Sequence, residues 1–268
     1  MRIVPLEARN LNEASALLTA AFFDYPMFAF YFPNPSRRSR ILPWYLRNVL
    51  RCALHYGEAF TTCDMDGLLF ALPPGHTSLT LWEYARHGFL FTPLVLGFRR
   101  YRRSMECENF VDHVHKELMG SLAHFYLWGV AVDPKHQGEG VGSALIRALL
   151  HRVDSQQMPI YLETHDVRNV DYYKRYGFDL VLETSIPKHH LSIWCMRRRA
   201  AGIAAGDAWQ RASSFPSSLH PTTSRMFAHR RLAANERIVH SCSPDSKQRE
   251  EMESRIHPLL RLTREMDR

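Results

Sequence analysis

Three glycines, Gly138, Gly140 and Gly142, alternate with other residues where an apolar strand ends and a helix is predicted to begin. A helix N-terminus offers free backbone N–H groups and a partial positive charge, and alternating glycines remove the β-carbons that would keep a phosphate away. The spacing predicts an anion-binding loop, while an ordinary strand-to-helix turn is the other interpretation, because glycine-rich turns are common. A Walker loop is excluded because no Lys-Ser/Thr pair follows Gly142, and the even spacing excludes a Rossmann fingerprint.

This loop and a second segment downstream resemble the GNAT superfamily of acyl-CoA-dependent N-acyltransferases. The family signature is Gln/Arg-x-x-Gly-x-Gly/Ala, which Gln137, Gly140 and Gly142 match without a gap. The short run LET from Leu162, followed by NVDYYKRYGF from Asn169, is similar to the family's fifth strand and the helix-turn after it. The resemblance covers about residues 1 to 197, and two blocks in the right order are more specific than either block alone.

The resemblance implies acetyl-CoA as the co-substrate and no metal. The loop amides would hold its pyrophosphate, and the edge of the preceding strand would pair with the pantetheine arm, to which an asparagine would also hydrogen-bond. The histidine pairs at 113/115 and 189/190 lack Cys or carboxylate partners at metal-ligand spacing, which is more typical of surface residues. The implied cofactor-binding residues are Val130, Ala131, Val132, Gln137, Gly138, Glu139, Gly140, Val141, Gly142, Ser143 and Asn169.

Within the superfamily, the sequence is most similar to puromycin N-acetyltransferase-type enzymes. This likeness implies a small-molecule amine as the acceptor and direct attack in a ternary complex. It does not imply puromycin itself, because residues 26 to 119, where the acceptor pocket should form, match loosely. The likeness rests on AAFFDYP from Ala20, the run from Asp133 to Ala144, Leu162-Glu163-Thr164, Arg168-Asn169, Tyr173 and Trp194-Cys195-Met196.

Acetyl transfer from a thioester to an amine needs a neutral nucleophile and a proton for the departing thiolate. The resemblance assigns delivery of that proton to Tyr173, because of its register with the turn at Gly177-Phe178. A core aromatic residue in contact with Phe178 is the other interpretation, and Tyr172 and Tyr176 are local competitors for the role.

For the general base, Glu163 at the end of the fifth strand and His124 just before the fourth strand are the better candidates, with Asp24 third. A histidine near its unperturbed pKa of about 6.5 could take the ammonium proton, directly or through water. The chain has 15 histidines, so the choice of any one is weak and a structural role for His124 stays open. Glu163 could instead hold the acceptor ammonium as an ion pair.

Aromatic residues are dense in the segment that precedes these blocks. They could wall a pocket for an apolar or aromatic amine, or they could be plain core. A protein lysine or N-terminal acetyltransferase would share the cofactor site but would need an open acidic groove, which this segment does not suggest. A non-catalytic acetyl-CoA sensor is a further alternative, against which Tyr173 argues. The aromatic positions are Phe22 to Phe32, Trp44, Trp82, Phe89 and Phe91.

The net charge of +7 invites a nucleic-acid interpretation that its distribution does not support. Residues 1–198 carry +3 and residues 199–268 carry +4, so the larger part of the chain is nearly balanced. Five cysteines at wide, irregular spacings favour a reducing cytosol over a disulfide framework. The most apolar run, Phe89 to Phe98, is about half of the ~20 residues that a membrane span needs, so no membrane partner is predicted. The oligomeric state stays open.

The predicted helices and strands that position these residues alternate along the chain. This alternation indicates a mixed α/β fold with a mostly antiparallel sheet of about seven strands flanked by helices. Residues 1–198 are predicted to form one N-acetyltransferase domain. Residues 199–268, rich in Ala/Gly and then Ser/Pro/Thr, are predicted to be a disordered basic tail, with one helix over 250–266 as the alternative. Asn12 and Ser36 are expected to cap the first two helices.

Overall fold

The computed structural model describes residues 1–199, and these form a seven-stranded sheet with helices on both faces. The strands are β1 (Ile3–Pro5), β2 (Glu58–Thr62), β3 (Gly67–Leu72), β4 (Phe125–Val132), β5 (Ile160–Thr164), β6 (Asp179–Ile186) and β7 (Leu191–Arg198). The helices are α1 (Leu11–Phe22), α2 (Pro26–Tyr31), α3 (Pro35–Tyr56), α4 (Leu81–Arg86), α5 (Thr92–Leu96), α6 (Phe98–Met119), α7 (Val141–Ser155) and α8 (Arg168–Lys174). The sequence prediction for the tail falls outside the described residues.

The strand order is β1-β2-β3-β4-β5-β7-β6, and every neighbouring pair is antiparallel except β4 and β5. The expected mixed, mostly antiparallel sheet is therefore confirmed. The last two strands, β6 and β7, pair with each other, and β7 lies between β5 and β6. This order brings the chain's last described strand next to β5.

The parallel pair β4 and β5 separates soon after it begins. Its ladder joins only Phe125 to Ile160 and Tyr126 to Tyr161, although β4 continues to Val132. On its other edge, β4 pairs with β3 along its length, with Trp128 as an extra residue at a register shift. A bulge of this kind bends a strand and redirects its side chains. Within the described residues, the second half of β4 thus keeps a backbone edge without a strand partner.

The two faces of the sheet have separate apolar cores. On one face, α7 contributes a fully buried stripe (Leu145, Ile146 and Leu149) at the spacing of a helix that packs with one side. On the other face, α1 and α3 supply a second stripe (Leu18, Leu42, Leu46 and Leu50). The side chains of β5 alternate between these environments, because successive residues of a strand point to opposite faces.

The expected helix caps at Asn12 and Ser36 are wrong by about one half-turn. Helix α1 begins at Leu11 after Asn10. Helix α3 begins at Pro35, and the Asn34 carboxamide oxygen accepts the Arg37 N–H at 2.9 Å. Proline lacks an N–H and fixes its own φ, so it suits the first helical position and moves the cap to the residue before it.

Candidate active site

The glycine loop leaves the first turn of α7 without a side-chain cap. Gly138 and Gly140 have φ values of +88° and +85°, and nothing lies within 4 Å of where their β-carbons would be. Gly140 occupies the cap position of α7, and no side chain accepts from the first N–H groups of the helix. These N–H groups carry the partial positive charge of the helix end, so the loop presents an open, donor-rich surface that suits a phosphate.

Two tyrosines of the α8 segment pack against this first turn. The Tyr176 hydroxyl donates to Ser143 Oγ at 2.7 Å. A β-carbon at Gly142 would lie 2.9 Å from the Tyr172 hydroxyl oxygen and 3.3 Å from a Val132 methyl group. Glycine at 142 therefore allows α7, β4 and the tyrosines to approach closely, whereas Gly138 and Gly140 serve the backbone conformation.

The exposed side of the loop carries a small charged network. The Asp133 carboxylate accepts the Lys135 N–H at 2.9 Å, which fixes the turn after β4. The His136 imidazole lies 3.0 Å from the Glu139 carboxylate and 3.6 Å from that of Asp66. The hydrogen bond with Glu139, helped by the nearby acidic charges, raises the pKa of His136. Gln137 and Glu139 are exposed, so their expected contribution is through the backbone.

The end of β5 is tied to α8 and to the turn before α2. Thr164 Oγ1 accepts from Asn169 Nδ2 at 2.9 Å and lies 3.0 Å from the Tyr25 hydroxyl oxygen, to which the His165 N–H donates at 2.7 Å. Burial raises the pKa of Tyr25 to about 12, so its phenol stays protonated. Asn169 thus stands beside Thr164, the last residue of β5.

Tyr173 lies one residue from Tyr172 but points in a different direction. Its ring is buried and meets Phe178 edge-on, with 5.6 Å between ring centroids. Burial, with a contribution from Tyr25, raises its pKa above the usual range of a phenol. Among the described residues, no group forms a hydrogen bond with its hydroxyl. The core contact with Phe178 is therefore present, and the hydroxyl is still available to a ligand.

Glu163 is a half-buried acid on the face covered by α1 to α6. The Tyr126 hydroxyl donates to its Oε1 atom, while Oε2 is fully buried and forms no hydrogen bond of good geometry among the described residues. Desolvation raises the pKa of Glu163 to about 8, against the lowering effects of the Tyr126 and Tyr161 hydroxyls. A carboxyl group with this pKa exchanges protons readily near neutral pH, as a general base must.

The linkage between this pKa and folding predicts a stability effect. Between the unfolded value near 4.5 and about 8, the folded protein binds more protons at this position than the unfolded chain, so its stability falls as pH rises. We expect Glu163→Gln to raise Tm relative to the parent near pH 9 and to have little effect near pH 5, at roughly 2–4 °C per kcal/mol. Thermal unfolding at both pH values measures this, and an equal Tm at the higher pH would contradict it.

His124 is not brought to the glycine loop. It precedes β4, and the loop follows the other end of that strand, eight residues away, or about 26 Å along an extended chain. Its Nδ1 lies 2.6 Å from the Leu122 carbonyl oxygen and its Nε2 lies 2.7 Å from Nε2 of His115. Burial lowers the pKa of both histidines, to about 3 for His115, so the pair is neutral and both nitrogens of His124 are engaged.

The third candidate base, Asp24, is an exposed carboxylate whose Oδ1 lies 2.8 Å from the Arg38 guanidinium. Arg38 is itself buried and also donates to the Phe32 carbonyl oxygen at 3.1 Å. Asp24 therefore neutralises the buried Arg38 cation, which holds the turn after α2. This ion pair competes with transfer of an amine proton to the Asp24 carboxylate.

Sequence reasoning missed Glu108 on α6. The Tyr31 hydroxyl donates to its Oε1 at 2.9 Å, and burial raises the pKa of Glu108. In the sequence it is one acid on a highly charged helix, and nothing in its spacing distinguishes it from a solvated residue. Of the expected aromatic wall, Trp44 and Phe89 are partly buried and in contact, whereas Trp82 and Phe91 are exposed.

Within residues 1–199, none of the helices is long and apolar enough to cross a membrane. No group of three or more His, Cys, Asp and Glu side chains in this part of the chain is arranged to hold a metal ion.

A sheet that opens between one parallel pair of strands, beside an uncapped glycine loop, is the architecture of an acyl-CoA-dependent N-acetyltransferase. Residues 74–178 match the model of the acetyltransferase (GNAT) family, and this part of the chain is a GNAT domain. The match includes the loop, β4, α7, β5 and α8. The family and the enzyme class indicated by the sequence are therefore confirmed.

Three comparisons describe the relatives of this domain. The chain is 24% identical over 178 residues to an uncharacterized N-acetyltransferase of Schizosaccharomyces pombe, which covers 65% of this chain and 72% of that protein. A Corynebacterium glutamicum structure, described as histone acetyltransferase HPA2 and related acetyltransferase, has a TM-score of 0.51 and 18% identity, covering 76% of this chain and 98% of that one. Arylalkylamine N-acetyltransferase 2 of Aedes aegypti has a TM-score of 0.52 and 12% identity, covering 74% and 98%. At these identities, the two structures show a shared fold.

Proposed function

We propose that this enzyme transfers an acetyl group from acetyl-CoA to a primary amine of a small molecule, by direct attack within a ternary complex. The observation that carries the proposal is Glu163, a half-buried carboxyl group with a pKa of about 8, whose Oε2 atom forms no hydrogen bond of good geometry. It lies on β5, next to the opening between β4 and β5. A group of this kind is suited to take a proton from an amine held in that opening.

The described residues fit acetyl-CoA. The uncapped first turn of α7 offers N–H groups to the pyrophosphate, and Gly138 and Gly140 leave room for it. The edge of β4 from Val130 to Val132 has amide and carbonyl groups without a strand partner on the β5 side, which suits the amides of the pantetheine arm. Asn169 stands beside the end of β5 and completes the set of proposed cofactor contacts.

In the proposed reaction, acetyl-CoA supplies a thioester carbon that the neutral amine attacks, and the carbon–sulfur bond breaks. Ionised Glu163 takes the proton that the amine must lose. Tyr173 gives a proton to the departing sulfur, and its raised pKa keeps the phenol protonated until then. The amine nitrogen gains the acetyl group and free coenzyme A leaves as the thiol. The proton taken by Glu163 balances the one given by Tyr173, and exchange with solvent restores both groups. A neutral amine therefore releases no net proton, whereas an amine that binds as ammonium releases one.

A small-molecule acceptor is supported by the covering of the acceptor side. Helices α2, α3 and α4 bring aromatic side chains against the sheet, and the ring of Tyr84 lies 6.4 Å from that of Trp128 on β4. The charge of Glu163 reaches Tyr84 and raises the pKa of that phenol, so the carboxyl group and the aromatic layer border the same region, which suits a small amine. A protein substrate would need its lysine or terminus to be delivered from an open groove.

The cellular location is also a proposal. The four cysteines within the described residues, Cys52, Cys63, Cys107 and Cys195, are all free thiols. Free thiols persist where glutathione and thioredoxin keep them reduced. We propose that the enzyme works in the cytosol.

Release of free thiol from acetyl-CoA in the presence of a panel of primary amines and lysine peptides tests the proposed function. We expect thiol release with small amines, and acetylation only of peptides would contradict the assigned acceptor class. Mass spectrometry of the amine product shows whether the acetyl group has reached nitrogen.

Replacing the proposed acid gives a residue-level prediction. Tyr173→Phe is expected to keep acetyl-CoA affinity and to lower turnover by roughly 10², the usual scale for loss of a general acid. Tyr172→Phe is the matched control, because this neighbouring phenol contacts Gly142 instead and should have a far smaller effect on turnover. If both variants lost turnover equally, the assignment of the acid to position 173 would be wrong.

A further inference from the structure

A second acid lies on the same side of the sheet as Glu163. Glu108, on α6, is half-buried, and the protein groups around it raise the pKa of its carboxyl group. Its charge raises the pKa of Glu163, and both acids also raise the pKa of the Tyr84 and Tyr126 phenols. The two carboxyl groups are therefore within electrostatic reach of each other and of the same two tyrosines.

Neither acid has a cation to neutralise it. Among the described residues, no Lys, Arg or His nitrogen lies within 4.0 Å of a carboxylate oxygen of Glu108 or Glu163. Burying an ionised carboxylate without a cation is costly, so each group favours the protonated form when the site is free of ligand. An ionised pair of this kind needs a cation, so a cationic ligand is what would hold the two groups in their ionised form.

Two polar groups on one face of β5 leave a place for a ligand. Glu163 Oε2 is buried and forms no hydrogen bond of good geometry among the described residues. The hydroxyl of fully buried Tyr161 lies close enough to lower the pKa of Glu163, and it also faces the Cys195 thiol. Buried carboxylate oxygens are almost always hydrogen-bonded, so an ammonium group at Oε2 would complete the bonding of this carboxylate.

Aromatic rings lie close to the two acids: Tyr45 faces Glu108, and Tyr84 is within electrostatic reach of both carboxyl groups. The Phe89 ring lies 5.3 Å from Tyr45 and 5.4 Å from Tyr84, measured between centroids, and Tyr84 in turn contacts Trp128. Aromatic faces attract ammonium groups and accommodate the methylene or aryl spacer between them. The wall therefore suits a compact molecule that is apolar in the middle and cationic at its ends.

We propose that the acceptor is a small diamine, with the reacting nitrogen at Glu163 and the second ammonium group bound by the Glu108 carboxylate. This inference rests on the proposed function, because it names the acceptor class of the same site. The Tyr31 hydroxyl donates to Glu108 Oε1 at 2.9 Å, and the Tyr45 hydroxyl faces the same carboxylate. Both phenols orient the carboxylate, which has about four acceptor positions and can still take an ammonium group.

Calorimetry with the full chain saturated with coenzyme A tests the inference as binding. The probes are two matched pairs, cadaverine against pentylamine and xylylenediamine against benzylamine. In the parent protein, each diamine should bind at least about tenfold more tightly than its monoamine, the effect of one charge-assisted hydrogen bond. Glu108→Gln should abolish this preference, and Glu117→Gln, an exposed acid of the same helix, should retain it.

Equal binding of diamine and monoamine by the parent, or a preference unchanged in Glu108→Gln, would overturn the inference. Glutamine keeps an acceptor for the Tyr31 hydroxyl, so the variant is expected to fold. A second readout needs no variant. Binding heats measured in buffers of different ionisation enthalpy give the number of protons released on binding. We expect the diamine to release more protons than the monoamine, because Glu108 ionises when it binds a cation, and equal release would contradict the inference. The titratable groups that face Glu108 are Tyr31, Tyr45, Tyr84, Cys107, Asp112, Tyr126 and Glu163.

Acetyl transfer to the same amines is measured separately, by thiol release. A diamine that binds more tightly than its monoamine but is not acetylated would support the dication site and contradict the proposed function. A diamine that is acetylated at the same kcat/KM as its monoamine would support the proposed function and contradict the role of Glu108.

Discussion

Glu163→Gln is expected to lower kcat/KM for amine acetylation by about 10² to 10⁴, the range for loss of a general base. Glutamine keeps the shape of the side chain and can still accept a hydrogen bond from the Tyr126 hydroxyl, but it cannot act as a base toward the amine. The parent enzyme should gain activity as pH rises through about 8, where Glu163 ionises, and the variant should lose this inflection. Thiol-release rates across this pH range measure both effects.

Glu183→Gln is the control for this comparison. Glu183 is an exposed acid on β6, so its replacement makes the same chemical change without touching the opening between β4 and β5. The control should keep the parent's rate and pH profile. A Glu163→Gln enzyme with nearly the parent's kcat/KM and the same inflection would show that another group is the base.

Gly140→Glu is expected to weaken acetyl-CoA binding by about 100-fold, or ~2.7 kcal/mol, the scale of one or two lost charge-assisted hydrogen bonds. The new carboxylate would stand at the uncapped end of α7, where it repels the pyrophosphate and competes for the same N–H groups. The substitution also strains the backbone, because φ at this position is +85°. Calorimetric titration with acetyl-CoA measures the loss.

Gly75→Glu separates the two causes. Gly75 also has a positive φ, +90°, and open space around it, but it lies in an exposed turn after β3, at the opposite end of the sheet from the loop. This control carries the same strain and charge and should keep acetyl-CoA affinity. Unchanged affinity in a folded Gly140→Glu protein would contradict the assignment of the loop.

The features that could be predicted from the sequence are those that local physics determines. The apolar run from Phe125 to Val132 forms β4 with the expected ends, because β-branched and aromatic residues favour strands and the following Asp-Pro ends the run. The open loop follows from glycines that adopt positive φ at 138 and 140. The resemblance placed Glu163 and Tyr173 on the adjoining elements, where both are found.

The features that could not be predicted depend on contacts between distant segments. Glu108 is 55 positions before Glu163, and only the packing of α6 against the sheet makes it a half-buried acid. The contact of His124 with His115 also joins two separate elements, so the neutral histidine pair could not be predicted from the position of His124 before β4. The register shift at Trp128 likewise depends on how β3 and β4 pair, which periodicity along a single strand does not reveal.

The short ladder between β4 and β5 divides the sheet into two subsheets, β1 to β4 and β5 to β7, joined by two residue pairs. Local unfolding follows such weakly connected boundaries, so in the free enzyme the two subsheets should open in amide hydrogen exchange as separate cooperative units. A pantetheine arm bound along the β4 edge would connect the two subsheets. With the cofactor bound, both subsheets should then open together in hydrogen exchange, as one cooperative unit.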